Sequence, residues 1–92
     1  MRSFDFSAYL RDGLRGVNWV TTDLWIAAAG IGGSMNLKDV QNITSGQREP
    51  SRREYDVLAV ALNEQFSDLG QNHPMTSWDE LPMVSTSPYP SP

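Results

Sequence analysis

The sequence predicts an all-α protein, a compact bundle of four to five short helices followed by an irregular C-terminal tail. Two observations lead to this fold class. Apolar residues recur at helical spacing in three segments, a fourth contains leucine and a run of alanines that favour a helix, and no segment reads convincingly as a strand. The 92 residues, 39% of them apolar, suffice for one domain with a small core.

The first helix is predicted over residues 5–15, and Gly16 is expected to end it. Its apolar residues recur at helical spacing: Phe6, Tyr9, Leu10 and Leu14. The second helix is predicted over residues 22–31, with Thr21 or Thr22 as its N-cap. The glycine-rich stretch that follows is expected to end it, because each glycine costs about 1 kcal/mol in a helix relative to alanine.

The third helix is predicted over residues 36–45, with Asn36 as its N-cap, Asp39 three residues further on, and Gly46 after its last turn. One stripe of the helix is apolar: Leu37, Val40 and Ile43. The remaining surface carries mostly amide and hydroxyl side chains. This surface either hydrogen-bonds a specific ligand or is simply solvated.

The fourth helix has the clearest pattern. Pro50 prevents an earlier start, and Ser51 with Glu54 forms an S-x-x-E capping box. Apolar residues then repeat at helical spacing through about residue 66: Tyr55, Leu58, Ala59, Leu62 and Phe66. The sequence leaves room for one further turn that would end at Gly70.

The chain is predicted to consist of a helical domain, an extension and a tail. The domain covers residues 1–70. Residues 71–81 are expected either to pack back onto the domain through Trp78 or to form a dimer contact through Trp78 and Leu81. Residues 82–92 are rich in proline and serine and are expected to be a flexible tail.

Composition argues against several classes of function. The chain has no cysteine, which excludes disulfides and cysteine-based zinc sites. Its single histidine, His73, lies in a predicted loop and is expected to be solvated, so no enzyme, metal or cofactor is implied. No run of about 18 apolar residues and no secretory signal occur, so we expect a cytoplasmic protein without a membrane partner.

Charge is unevenly distributed along the chain. Residues 34–53 contain four basic and two acidic residues, although the whole chain has a net charge of −4. Residues 54–92 contain six acidic residues and no lysine or arginine. This asymmetry indicates two faces with different electrostatic roles, or acidic residues that only maintain solubility.

The segment GQREPSRREYDVLAVALNEQFSDLG, which begins at Gly46, resembles the second half of the Cro/C1-type (XRE-like) helix-turn-helix domain of phage and bacterial repressors. The matching features are a helix-ending glycine, a basic turn with a proline, and a helix rich in leucine and alanine: Gly46, Arg48, Pro50, Leu58, Ala59, Ala61, Leu62 and Leu69. The resemblance extends over residues 5–70 and is close over residues 37–70. The turn at residues 30–36 is at least one residue longer than in the family pattern.

The resemblance implies a sequence-specific transcriptional regulator that reads double-stranded DNA with helix 36–45 in the major groove. The implied base contacts are Asn36, Lys38, Gln41 and Asn42. The implied phosphate contacts are Ser34, Ser45, Arg48, Arg52 and Arg53. A homodimer on a two-fold operator is expected, because few basic residues give weak non-specific affinity. A phage-encoded regulator would act in the cytoplasm of its bacterial host.

Other interpretations stay open at this stage. The arginines are either solvated or paired with Glu49, Glu54 or Asp56 rather than with phosphate. The negative net charge favours a second function: an acidic protein-interaction module on the same helical scaffold that does not read DNA. Such a module would be an antirepressor or a phage inhibitor of a host nucleic-acid-binding machine. A structural or toxin–antitoxin partner is the third interpretation.

Overall fold

The computed structural model describes residues 5–71, 75, 76 and 78. Within these residues there are four α-helices and no strand, which confirms the predicted all-α fold class. The helices are α1 (Phe6–Val17), α2 (Thr21–Gly30), α3 (Leu37–Ser45) and α4 (Arg52–Asp68).

The helices α1 and α2 each pack against both α3 and α4. The largest side chains without solvent exposure come from all four helices: Leu10, Leu24, Val40, Ile43, Tyr55, Leu58 and Leu62. Three of these seven side chains belong to α4, so α4 contributes most to the centre of the core. The apolar stripes predicted for α3 and α4 therefore face the core, as helical periodicity requires.

Local hydrogen bonds set the boundaries of α3 and α4 where the sequence predicts them. The Asn36 side chain accepts from the Asp39 backbone N–H at 2.8 Å, and the Ser51 hydroxyl accepts from the Glu54 N–H at 3.1 Å. Each acidic side chain accepts in return from the backbone N–H of its cap residue. Gly46 ends α3 in the left-handed conformation, with φ of +88°.

Helix α1 is longer than predicted, because Gly16 lies inside it instead of ending it. The helix continues to Val17 and ends at Asn18, which adopts the left-handed conformation. A Cβ atom on Gly16 would lie 2.8 Å from Cζ of Phe66 on α4. Gly16 is thus a site of close approach between two helices rather than a stop signal, a role that local pattern cannot reveal.

The predicted cap of α2 is also wrong. The helix begins at Thr21 with Val20 as its N-cap, and neither Thr21 nor Thr22 caps it. The Asp23 carboxylate instead accepts from the Val20 backbone N–H at 3.1 Å. Thr21 is directed towards α3, where its hydroxyl lies 3.4 Å from that of Thr44.

The segment around residues 75–78 returns to the helical domain. Asn63 on α4 exchanges two hydrogen bonds with the backbone of Met75, at 3.0 and 3.1 Å. The Tyr55 hydroxyl donates to the Thr76 carbonyl at 2.6 Å, and burial raises the pKa of Tyr55 to about 12, so this donor stays protonated. The Met75 side chain is buried and fills the space that Gly13 leaves on α1.

Trp78 takes the first of the two roles expected for it and packs within the chain. Its ring stacks on Phe6 with centroids 5.4 Å apart, and its backbone N–H donates to Asp56 at 3.1 Å. His73, Leu81 and the tail at residues 82–92 lie outside the described residues.

Candidate nucleic-acid interface

Helix α3 has one buried and one exposed side. Val40 and Ile43 are fully buried, and the Thr44 hydroxyl turns back to donate to the Val40 carbonyl at 3.0 Å. Lys38, Gln41 and Ser45 are exposed on the outer side. The packed side holds the backbone of α3 in place, so the exposed side chains project from a rigid helix.

The other two residues for which the sequence predicts base contacts, Asn36 and Asn42, are less available than Lys38 and Gln41. The side-chain oxygen of Asn36 already accepts from the Asp39 backbone N–H. Asn42 is half-buried, and its backbone carbonyl accepts from the N–H of Gln47 at 2.9 Å. Asn36 therefore has a structural role at the start of α3, and only part of its side chain is free for a ligand.

A groove of about 530 Å³ runs beside the exposed side of α3, and we call it the α3 groove. Its lining comes from α1, from the connection to α2 with the first residue of α2, and from α3: Arg11, Leu14, Arg15, Trp19, Val20, Thr21, Gln41, Thr44 and Ser45. This lining includes two arginines and no carboxylate. The α3 groove therefore combines positive charge with the amide of Gln41 and the hydroxyl of Ser45.

The two arginines of the α3 groove are four residues apart on α1 and share one face. Arg11 donates to the carbonyl of Thr44 at 2.7 Å, near the C-terminus of α3, where a positive charge is favourable. Arg15 pairs with Asp12 at 2.6 Å, but the two side chains are 73% and 70% exposed. Such an exposed pair contributes little free energy, so Arg15 can exchange Asp12 for another anion at low cost.

Arg48 lies instead in a network of carboxylates between α3 and α4. It donates to both oxygens of Glu54, at 2.9 and 3.0 Å, and lies 3.6 Å from Asp39. The hydrogen bond from Arg48 lowers the pKa of Glu54, and the same contact raises the pKa of Arg48. Of the partners that the sequence left open for Arg48, the structure shows Glu54. The Arg48 guanidinium therefore stabilises the turn between α3 and α4.

Arg52 and Arg53 line a different cleft from the α3 groove. This second cleft, of about 570 Å³, lies along the outer face of α4 and includes Ile31 and Val57. It has no lining residue in common with the α3 groove. Gln41 and Ser45 thus line the same groove as Arg11 and Arg15 of α1, whereas Arg52 and Arg53 line a separate cleft. Ser34 is exposed in the connection between α2 and α3.

Arg11 and Arg15 are not among the site residues predicted from the sequence. Their four-residue spacing on the polar side of α1 was a usable signal, because it predicts one basic face. Nothing local in the sequence indicates that this face lies beside α3, since that depends on how α1 packs.

Two other kinds of site are absent from the described part of the chain. Residues 5–71, 75, 76 and 78 contain no cluster of three or more histidine or acidic side chains suited to a metal ion. Among these residues no helix has the length and apolar character that crossing a membrane requires.

Comparison of the chain with protein-family models, with curated proteins and with solved structures finds no match. The geometry of the site is therefore the basis for the functional argument.

Proposed function

We propose that this protein is a small sequence-specific DNA-binding regulator, in which α3 enters the major groove and α1 contacts the phosphate backbone. One observation carries the proposal: the α3 groove contains two arginines and no carboxylate, although the chain has a net charge of −4. The nearby Asp12 carboxylate is exposed and does not line the groove. A groove lining without negative charge on an acidic protein suits a polyanionic ligand.

Gln41 and Lys38 are the leading base-contact residues in this proposal. Both are exposed on α3, whose backbone is held by buried Val40 and Ile43. The amide of glutamine can donate to and accept from the edge of adenine, and lysine can donate to guanine. Asn36 and Asn42 take secondary roles, because one caps α3 and the other is half-buried.

Arg11 and Arg15 take the phosphate contacts in place of Arg48. A guanidinium has five N–H donors, and Arg11 uses one of them to hold the Thr44 carbonyl. Arg15 is largely exposed, and its pair with Asp12 is weak. Ser45 lies in the same groove, and its exposed hydroxyl, which donates to the Asn42 carbonyl at 3.2 Å, would turn to the phosphate backbone instead.

The decisive experiment selects bound sequences from a pool of random DNA duplexes at low and at moderate salt. We expect one enriched sequence for the wild-type chain and its loss in Gln41→Ala, which removes a base contact. Arg11→Ala with Arg15→Ala should weaken binding to all sequences alike, because phosphate contacts carry no sequence information.

The matched control is Arg52→Ala, an arginine in the second cleft, which should leave the enriched sequence unchanged. If Arg52→Ala weakens binding and the α1 substitutions do not, then the phosphate contacts belong to the basic turn. If no sequence is enriched even at low salt, the DNA-binding proposal is contradicted.

One observation favours the alternative, an acidic protein-interaction module. Arg48 is neutralised within the chain, while Val60 and Ile31 leave apolar surface exposed on another face. A module of this kind would bind no duplex at low salt but would form a defined complex with one protein, and Val60→Asp would abolish that complex.

A further inference from the structure

One side of α4 carries a straight row of four side chains, which we call the α4 stripe: Arg53, Val57, Val60 and Glu64. Arg53, Val60 and Glu64 are exposed, whereas Val57 is half-buried and packs against the edge of the core. Spacings of four, three and four residues place them in one line along a helix. Leu58 and Leu62 face the core on the other side. Val60 is 46% exposed, and Ile31 extends the apolar surface beside it.

The charges at the two ends of the α4 stripe oppose the helix dipole. Arg53 lies in the first turn of α4, and Glu64 lies in its C-terminal part, where no basic residue is found in the last turn. A cation in the first turn is unfavourable for an isolated helix, and the weaker effect at Glu64, just before the last turn, has the same sign. Neither Arg53 nor Glu64 forms an ion pair with another described residue.

We propose that the α4 stripe is the surface on which a second copy of this chain docks, with the two α4 helices antiparallel around a two-fold axis. A two-fold axis that meets the α4 stripe at the level between residues 58 and 59 places Val57 opposite Val60 of the second copy. The same axis sets Arg53 opposite Glu64. Apolar side chains then meet at the centre, and opposite charges meet at both ends, which is the self-complementarity that a two-fold interface requires.

The antiparallel arrangement also accounts for the charge order along α4. Each helix end lies beside the opposite end of its partner, so the dipoles and the terminal side chains attract one another. A parallel pair would instead place Arg53 beside Arg53 and Glu64 beside Glu64, with mutual repulsion. The proposal is independent of DNA binding, and it assigns Arg53 to a protein contact rather than to phosphate.

Charge reversal tests the α4 stripe directly. The mass of the full-length chain is measured by sedimentation equilibrium over a range of concentrations, for the wild type and for Arg53→Glu and Glu64→Arg separately. We expect a wild-type dimer and a dissociation constant raised roughly tenfold or more in each variant, because two symmetric attractions become repulsions. Each reversal agrees with the dipole of α4, so both variants should fold.

Mixing the two variants tests the antiparallel geometry. An Arg53→Glu chain presents two acidic ends and a Glu64→Arg chain presents two basic ends, so an equimolar mixture should form a heterodimer. Lys38→Glu changes the net charge as much as Arg53→Glu but lies on α3, and it should leave the wild-type dimer unchanged. Val60→Asp should give a monomer with the circular dichroism of the wild type.

Three results would overturn the proposal. They are a wild-type chain that stays monomeric at the highest soluble concentration, a dimer that both charge reversals leave intact, and a mixture of the two reversed chains that remains monomeric.

Discussion

Arg48 and Arg15 each donate to a carboxylate, but they lie in regions that differ in solvent exposure. In the α3–α4 junction, the side chains of Arg48 and Glu54 are 37% and 25% exposed, and two parallel hydrogen bonds join them. Arg15 lines the α3 groove, and its partner Asp12 lies outside the lining; both side chains are at least 70% exposed and share one short contact. The first pair stabilises a turn, whereas the second leaves its arginine available to a ligand.

The comparison explains why the densest basic segment is not the best candidate for phosphate binding. Arg48 belongs to the segment with the most positive charge in the sequence, and two carboxylates offset that charge in the structure. Arg11 and Arg15 belong to a segment of mixed charge, yet the groove that they line has no carboxylate. Local charge density along a chain is thus a poor guide to charge on a folded surface.

The largest effect that we expect comes from Glu54→Ala in the junction. This change removes the partner of Arg48 and the acceptor for the Ser51 backbone N–H at the start of α4. We expect the free energy of unfolding in urea to fall by about 2 kcal/mol, because a cap and a bidentate ion pair are lost together. The control is Glu49→Ala, which should cost less than about 0.5 kcal/mol, as is usual at exposed positions. If Glu54→Ala and Glu49→Ala lose the same free energy of unfolding, the contacts of Glu54 with Arg48 and Ser51 are not the cause of the loss.

Gly46→Ala should have the next largest effect. Gly46 has a φ of +88°, and an added Cβ would lie 3.2 Å from the Ser7 hydroxyl. We expect thermal unfolding to show a loss of about 1 kcal/mol, since alanine is strained in this conformation. Gly30→Ala is the matched control, because nothing lies within 4 Å of its added Cβ and its φ is ordinary. That variant should be slightly more stable than the wild type.

A smaller effect should appear as a dependence of stability on pH. The pKa of Glu54 is lowered in the folded state, mainly by the hydrogen bond from Arg48. Its stabilisation is therefore complete above the unfolded pKa and is lost as the pH falls through the folded pKa. Between about pH 5 and pH 3 we expect Arg48→Ala to lose less stability than the wild type, measured by urea unfolding at each pH. Parallel pH profiles of the two proteins would contradict this assignment.

The smallest effect on stability should come from Arg15→Ala in the α3 groove. Removing an exposed pair should change the free energy of unfolding by less than about 0.5 kcal/mol. If Arg15 contacts phosphate, the slope of log K against log salt should become shallower by about one per bound chain. A salt titration of duplex binding measures this slope. If the slope does not change, Arg15 does not contact phosphate, and it is then no better a candidate for DNA binding than the ion-paired Arg48.

Sequence reasoning succeeded where the deciding contacts are local. The starts of α3 and α4 depend on hydrogen bonds between residues three apart, Asn36 with Asp39 and Ser51 with Glu54. It failed at Gly16, which lies inside α1 where the helix closely approaches Phe66, fifty residues further along the chain. It also named the exposed Gln41 on α3 but missed the arginines of α1 that line the same groove.

The sequence by itself determined the helical type of the elements and which face of α3 and α4 is apolar, because capping and periodicity act within a few residues. It left solvent, a carboxylate and a phosphate open as the surroundings of Arg48. Only the tertiary structure decided that Glu54 and Asp39 surround Arg48, and that Arg15 lies in a groove without acidic residues. The physical reason is that the field at a side chain depends on every charge packed around it, and packing brings together residues that are distant in the chain.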